Sequence, residues 1–134
     1  MPRKAKHHTR HAVFAGALTL VAGPAFATDP FGVWRTEADR KGQVADVMAE
    51  ACGGYVCGTI IRVYDNQGKP VAAPTVGKRV FWNMTPDGAG YVGRAFVPAH
   101  QREYQGRLAV NGNRMTVKGC LGPICQSQVW TRLQ

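Results

Sequence analysis

The chain is poor in the residues that enzymes most often use. It has one serine, Ser127, and beyond residue 27 one histidine, His100. A Ser-His-acid triad would need both, yet Ser127 falls in a predicted strand and His100 in a polar loop, and nothing in the pattern brings them together. Neither H-E-x-x-H nor G-x-S-x-G occurs. Acidic residues number eight. A glycosidase needs two of them facing across a cleft. Asp46 and Glu50 share one face of a predicted strand at i, i+4, roughly 13 Å apart at strand rise, too far for either glycosidase geometry. They are expected on the outer face, and the protein is not expected to be an enzyme.

Long hydrophobic runs are also missing. The one sizeable uncharged run, residues 12–22, is about half of the ~20 residues a spanning helix needs. Arg3, Lys4, Lys6 and Arg10 precede it with no acidic residue, and Gly23-Pro24 and Ala25-Phe26-Ala27 follow. This is the basic, apolar and small-residue order of a secretory signal, so residues 1–27 are read as a signal peptide cleaved before Thr28. The competing reading is an uncleaved anchor. No cysteine follows the cleavage site directly and no second apolar run appears, so residues 28–134 are expected as one domain, periplasmic or secreted, neither lipid-anchored nor membrane-spanning.

Without the signal 107 residues remain, enough for one modest core and too few for a doubly wound nucleotide-binding fold or an α/β barrel. The formal charge falls from +9 to +5, because four of the seventeen basic residues lie in the signal. The others are scattered and form no run, which argues against nucleic acid as partner. Gly88-Ala89-Gly90-Tyr91-Val92-Gly93 matches G-x-G-x-x-G, but a turn leads into a strand there, and no helix N-terminus follows to hold a pyrophosphate. No cofactor is expected.

What the chain does have is paired cysteine, turn residues and alternation. Cys52, Cys57, Cys120 and Cys125 form two C-x4-C pairs, CGGYVC and CLGPIC. An even count in an exported small domain favours disulfides, and local pairing, Cys52–Cys57 and Cys120–Cys125, fits best of the three connectivities because each glycine-containing segment can fold back as a hairpin. A four-thiolate zinc site is the alternative. Apolar residues alternate along eight segments, 32–36, 43–51, 55–64, 78–84, 90–97, 103–110, 114–119 and 125–133, with Gly53-Gly54, Pro86-Asp87-Gly88 and Asn111-Gly112 as turns between them. Residues 65–77 read as a loop and 37–41 as a short, weak helix. Hairpin-sized connections between short strands predict an all-β, eight-stranded antiparallel up-and-down barrel. Ala45, Val47, Ala49 and Ala51 share one face of the second strand. Such small side chains leave volume that neighbours fill or a ligand occupies, with Tyr55, Phe81, Tyr91 and Phe96 as the nearest fillers.

Several segments resemble one known family. Gly32-Val33-Trp34-Arg35 is similar to its opening G-x-W. Cys52 to Ile60 is similar to its C-G…C-G-x-I hairpin, and Thr85-Pro86-Asp87-Gly88 and Gly93…Phe96-Val97-Pro98 to its central meander. Cys125-Gln126-Ser127-Gln128-Val129-Trp130-Thr131-Arg132 resembles its closing strand, the most specific part. The family is the exported bacterial group called domain of unknown function 2147. The chain departs from it in a shorter loop at 65–77, in Tyr91 where the family tends to carry Trp, and in Gly93-Arg94 where it carries a Gly-Gly pair. The resemblance implies a lipocalin-like, calycin-type barrel and no known activity. It also implies structural roles for Trp34, Trp130 and Arg132. In calycin-like barrels a first-strand Trp packs at the closed end under a basic residue of the last strand, which would cap carbonyls near Phe31.

The expected role is therefore binding. The ligand would be small and apolar or amphipathic, held in the barrel interior near Ala45, Val47, Ala49, Tyr55, Phe81, Tyr91 and Phe96, or the partner would be an envelope component on a loop face. A periplasmic protein-inhibitor or interaction module, like the β-barrel inhibitors of lysozyme, is the alternative. The protein is expected to be a monomer that binds no metal.

Overall fold

The structure is a computed structural model that describes residues 2–3, 11–19 and 29–134. The expected cleavage site at 25–28 lies outside the described residues. Among those described, no helix is long and apolar enough to cross a membrane.

Nine strands follow one another: β1 (Gly32–Arg35), β2 (Val44–Cys52), β3 (Tyr55–Tyr64), β4 (Pro70–Val71), β5 (Arg79–Asp87), β6 (Gly90–Val97), β7 (Arg102–Asn111), β8 (Arg114–Leu121) and β9 (Ile124–Arg132), with a 3-10 turn at Pro98–His100. All pairings are antiparallel, and the order β2-β1-β9-β8-β7-β6-β5-β3 is closed by β2–β3 pairing into an eight-stranded barrel. β4 adds a short flap to the end of β3 through Val63↔Val71 and Tyr64↔Pro70. It is the one strand the sequence pattern missed, because two residues between glycine and proline signals carry no alternation to read. The helix expected at 37–41 does not form. Asp39 instead folds the segment into a turn, its carboxylate accepting the Lys41 and Gln43 amides at 2.8 and 2.9 Å. A short polar side chain that bonds nearby backbone favours such turns over helix.

Because the strands run alternately up and down, the connections sort into two ends. The tight turns after β2, β5 and β7 lie at one end with both termini of the barrel, which we call the floor. The longer connections 36–43, 65–78 and 98–101, with the β8–β9 turn, form the mouth. One disulfide sits at each end, Cys52–Cys57 beside the floor hairpin and Cys120–Cys125 across β8 and β9 near the mouth.

The floor is packed solid. Trp34, Phe81, Met84, Leu108 and Met115 are fully buried there, with Pro30 beneath them. The indole of Trp34 donates to the Pro30 carbonyl at 2.8 Å, so the segment entering β1 seals the end. Two glycines make this packing feasible. Gly32 has φ of 119°, and a Cβ there would lie 2.1 Å from the Gln134 carbonyl oxygen. Gly58 pairs with the small Ala49 across β2 and β3, and a Cβ on it would lie 2.4 Å from the Phe81 ring. The small face of β2 is thus filled by Phe81 at Ala49. Ala51, expected on that face, is exposed, because the strand has passed the core on its way into the hairpin. Higher up, Asp46 pairs with Arg62 and Val47 with Ile60, so Ile61 is an extra residue that bulges β3 outward and re-aims its side chains.

Candidate functional site

Towards the mouth the packing stops and a cavity of about 560 Å3 opens. Val47 from β2, Ile60 and Val63 from β3, and Val80 from β5 line its apolar wall, and Trp130 of β9 forms its base. The space exists because Ala45, Ala95 and Gly119, which also line it, have little or no side chain to fill it. Polar groups gather at one side of the opening: Glu37, Asp39 and Gln43 from the first mouth loop, and Gln126, Ser127 and Gln128 from β9. The volume lies within the range of roughly 300–1,000 Å3 common for ligand pockets.

The polar side follows from the shortness of β1. It pairs with β9 only at Trp34↔Arg132 and Arg35↔Thr131, so β9 above Thr131 has no strand neighbour on that side. The Val129 amide is satisfied by a carboxylate instead, donating to Glu37 Oε2 at 2.8 Å across 92 residues of sequence. Residues 124–129 are exposed on both faces. Gln128 turns its carbonyl oxygen to the Trp130 indole, which donates to it at 2.7 Å and is thereby held at the cavity base. Glu37, Gln128 and Gln126 were not legible as site residues from the sequence. The signal available was a pair of glutamines at the inward positions of a strand otherwise closing on Trp130.

The residues expected in the interior separate into three groups. Ala45, Val47 and Phe96 line the cavity. Ala49 and Phe81 are buried in the filled floor, and Tyr91 packs against the same core. Tyr55 is corrected: it is 47% exposed, because it begins β3 at the hairpin outside the barrel. Trp34 and Arg132 meet at the base, and Trp130 lies beside Phe81, ring centroids 6.2 Å apart. The Arg132 guanidinium lies 4.2 Å from the centroid of the Trp34 ring. It donates to the carbonyls of Asp29 at 2.6 Å and Gly112 at 3.3 Å, and also to that of Phe31.

On the outer wall Asp46 is 5% exposed beneath Arg35, which donates to it at 2.9 and 3.2 Å and stacks on Tyr64 at 4.8 Å. The hydrogen bond to Asp46 raises the Arg35 pKa. Glu50 is exposed. Glu50, Cys52 and Cys57 bring their ligand atoms within 4.8 Å, but the two sulfurs are bonded to each other and one exposed carboxylate remains, which is no metal site. His100 is exposed at the mouth against the Tyr104 hydroxyl at 2.8 Å. Among the described residues the arrangement offers an apolar chamber with a polar margin.

A closed antiparallel barrel of this kind, sealed at one end and open at the other, is lipocalin-type. The protein HP1028 from Helicobacter pylori, described as belonging to the lipocalin family, has a similar fold: TM-score 0.62, 16% identity, covering 80% of this chain and 84% of that one. The chain belongs to the bacterial family described as "Uncharacterized protein conserved in bacteria (DUF2147)", whose pattern matches residues 32–132. No curated protein matches it.

Proposed function

We propose that the protein binds a small apolar or amphipathic molecule in the mouth cavity, after export and cleavage before Thr28. The observation that carries this reading is the chamber of about 560 Å3, walled by Val47, Ile60, Val63 and Val80 and edged on one side by Glu37, Gln126 and Gln128. Such a site takes a hydrocarbon or ring body inside and leaves a polar head at the margin. Binding is supported by the largely apolar wall of that chamber. The paired cysteines and the basic, apolar and small-residue order of residues 1–27 support a periplasmic or secreted location.

The test is uptake of a fluorescent naphthylamine probe, followed by its emission and by quenching of Trp130. The parent should bind and gain thermal stability in proportion to probe concentration. Ala45→Phe, which puts a ring into the chamber, should abolish uptake. Equal uptake by both would overturn the reading. A second reading, an interaction module, is favoured by one observation: the strand residues 124–129 are exposed on both faces, with Ile124 74% exposed, so this edge is open to a protein partner.

A further inference from the structure

Outside the barrel, immediately beside the mouth, lies a second and shallower groove lined by Lys78, Arg79, Trp82 and Phe96. Its position follows from the strands. Lys78 ends the mouth connection and Arg79 starts β5. Trp82, next to the inward Phe81, lies on the outer face opposite Arg94 of β6. Phe96 contributes to both the groove and the chamber, so one aromatic ring is shared between them.

Three features of this groove belong together. Among the described residues neither Lys78 nor Arg79 has an acidic partner, and Glu103 of β7, two strands from β5, is paired with Arg94 at 3.2 Å. Trp82 and Phe96 are half-buried and line the groove. Val76 is 43% exposed at the tip of a tight turn, fixed by bonds from the Val76 amide to Ala73 at 3.2 Å and from the Gly77 amide to Ile60 at 2.7 Å. The turn thus leaves an exposed apolar side chain two residues before Lys78 and three before Arg79, the two cations of the groove.

We infer that the Val76–Lys78–Arg79–Trp82 face docks the mouth of the barrel on an anionic lipid surface. Charge complementarity selects the occupant. Two unpaired cations attract anionic headgroups, an exposed aliphatic side chain enters the interface, and a half-buried indole suits the boundary between headgroup and acyl chain. The shared Phe96 places the chamber directly beside the contact, so an amphipathic ligand would cross a short distance from bilayer to barrel. This deepens the binding reading above, on which it rests for what is delivered, whereas the docking residues stand apart from the chamber.

Flotation with vesicles tests it, comparing parent and variants prepared in the same processed form. Phosphatidylcholine vesicles carrying roughly one-third phosphatidylglycerol should bind the parent, pure phosphatidylcholine should not, and added salt should weaken the binding. Each basic side chain near an anionic surface is worth about fivefold in affinity, so Lys78→Ala with Arg79→Ala should lose roughly twenty-five-fold. Trp82→Ala should lose affinity with the charge intact. Arg114→Ala with Lys118→Ala, on β8 three strands around the wall, should match the parent. Equal losses in that control pair, no binding to anionic vesicles, or binding only to a soluble anionic polysaccharide would each overturn the inference. Ala45→Phe separates the two ideas: it should keep vesicle binding and lose probe uptake. Vesicle binding by a parent that takes up no probe would sink the chamber reading and leave the docking face standing.

Discussion

The floor and the mouth are built from the same strands, yet one is filled and the other hollow. At the floor, Ala49 and Gly58 lie opposite each other and the Phe81 ring fits over them. At the mouth, Ala45, Ala95 and Gly119 are equally small, and they border open space. Small side chains therefore do not by themselves make a cavity. What decides is whether an aromatic residue on a facing strand is aimed at them, and Trp34, Phe81 and Trp130 all pack towards the closed end. The ends also differ in how they are sealed. The floor is closed by backbone and a cation, with Arg132 reaching the carbonyls of Asp29, Phe31 and Gly112, while the mouth is tied at one side by Glu37 to a single amide.

The contrast should show first in stability. Trp34→Ala removes a fully buried ring and the bond to Pro30, and should cost about 3–5 kcal/mol in urea unfolding. Val63→Ala beside the cavity should cost far less than a usual core truncation, because the wall already borders empty space. Comparable costs would mean the chamber is filled in solution. Gly58→Ala should destabilise by about 1–3 kcal/mol, since its Cβ would meet the fully buried Phe81 ring.

Much of the floor was legible in the sequence, and little of the mouth was. Alternation gave all eight strands of the barrel wall to within three residues at either end, and Gly32-Val33-Trp34 with the closing strand marked the sealed end. The two cysteine pairs are joined locally, as their spacing suggested. These features are local or lie in a contiguous motif. The chamber depends instead on where side chains from distant strands point, and the bulge at Ile61 shifts that aim without any glycine or proline to announce it. The bond between Glu37 and Val129 joins residues whose sequence neighbourhoods carry no common pattern. Tyr55 misled for a related reason: an aromatic at the start of a strand reads as core, but this one sits beyond the last inward layer.

The disulfides sharpen the comparison, because each closes a loop of the same length, with a sequence separation of 5. In the chain-entropy model each should contribute roughly 2 kcal/mol. Replacing each pair by alanine should therefore cost similar amounts at the two ends. A larger loss for Cys120–Cys125 would show that the mouth end of β9, which has β8 on one side and no strand on the other, relies on its bridge more than the floor hairpin does.

Arg132→Lys tests how the floor is closed. Lysine keeps the charge and loses the planar fork that stacks on Trp34 while donating to three carbonyls. The expected cost is about 1–2 kcal/mol. Combined with Trp34→Ala, the loss should be smaller than the sum of the two, since both remove one shared contact. Strict additivity would show that the stacking contributes nothing and that carbonyl capping alone closes the end.

The smallest change in stability should come from the largest added group. Ala45→Phe inserts a phenyl ring at a position that borders the chamber, whereas Gly58→Ala adds one methyl under Phe81. If the interior were uniformly packed, six added carbons would cost more than one. With a hollow mouth the order reverses: the ring enters free volume, gains apolar burial, and shifts stability by less than about 1 kcal/mol in either direction. The same substitution should eliminate probe uptake, while Gly58→Ala should leave uptake unchanged in whatever fraction stays folded. Urea unfolding and probe titration on both variants would decide it. A strongly destabilised Ala45→Phe would place a solid core at the mouth as well as at the floor, and the difference between the two ends would vanish.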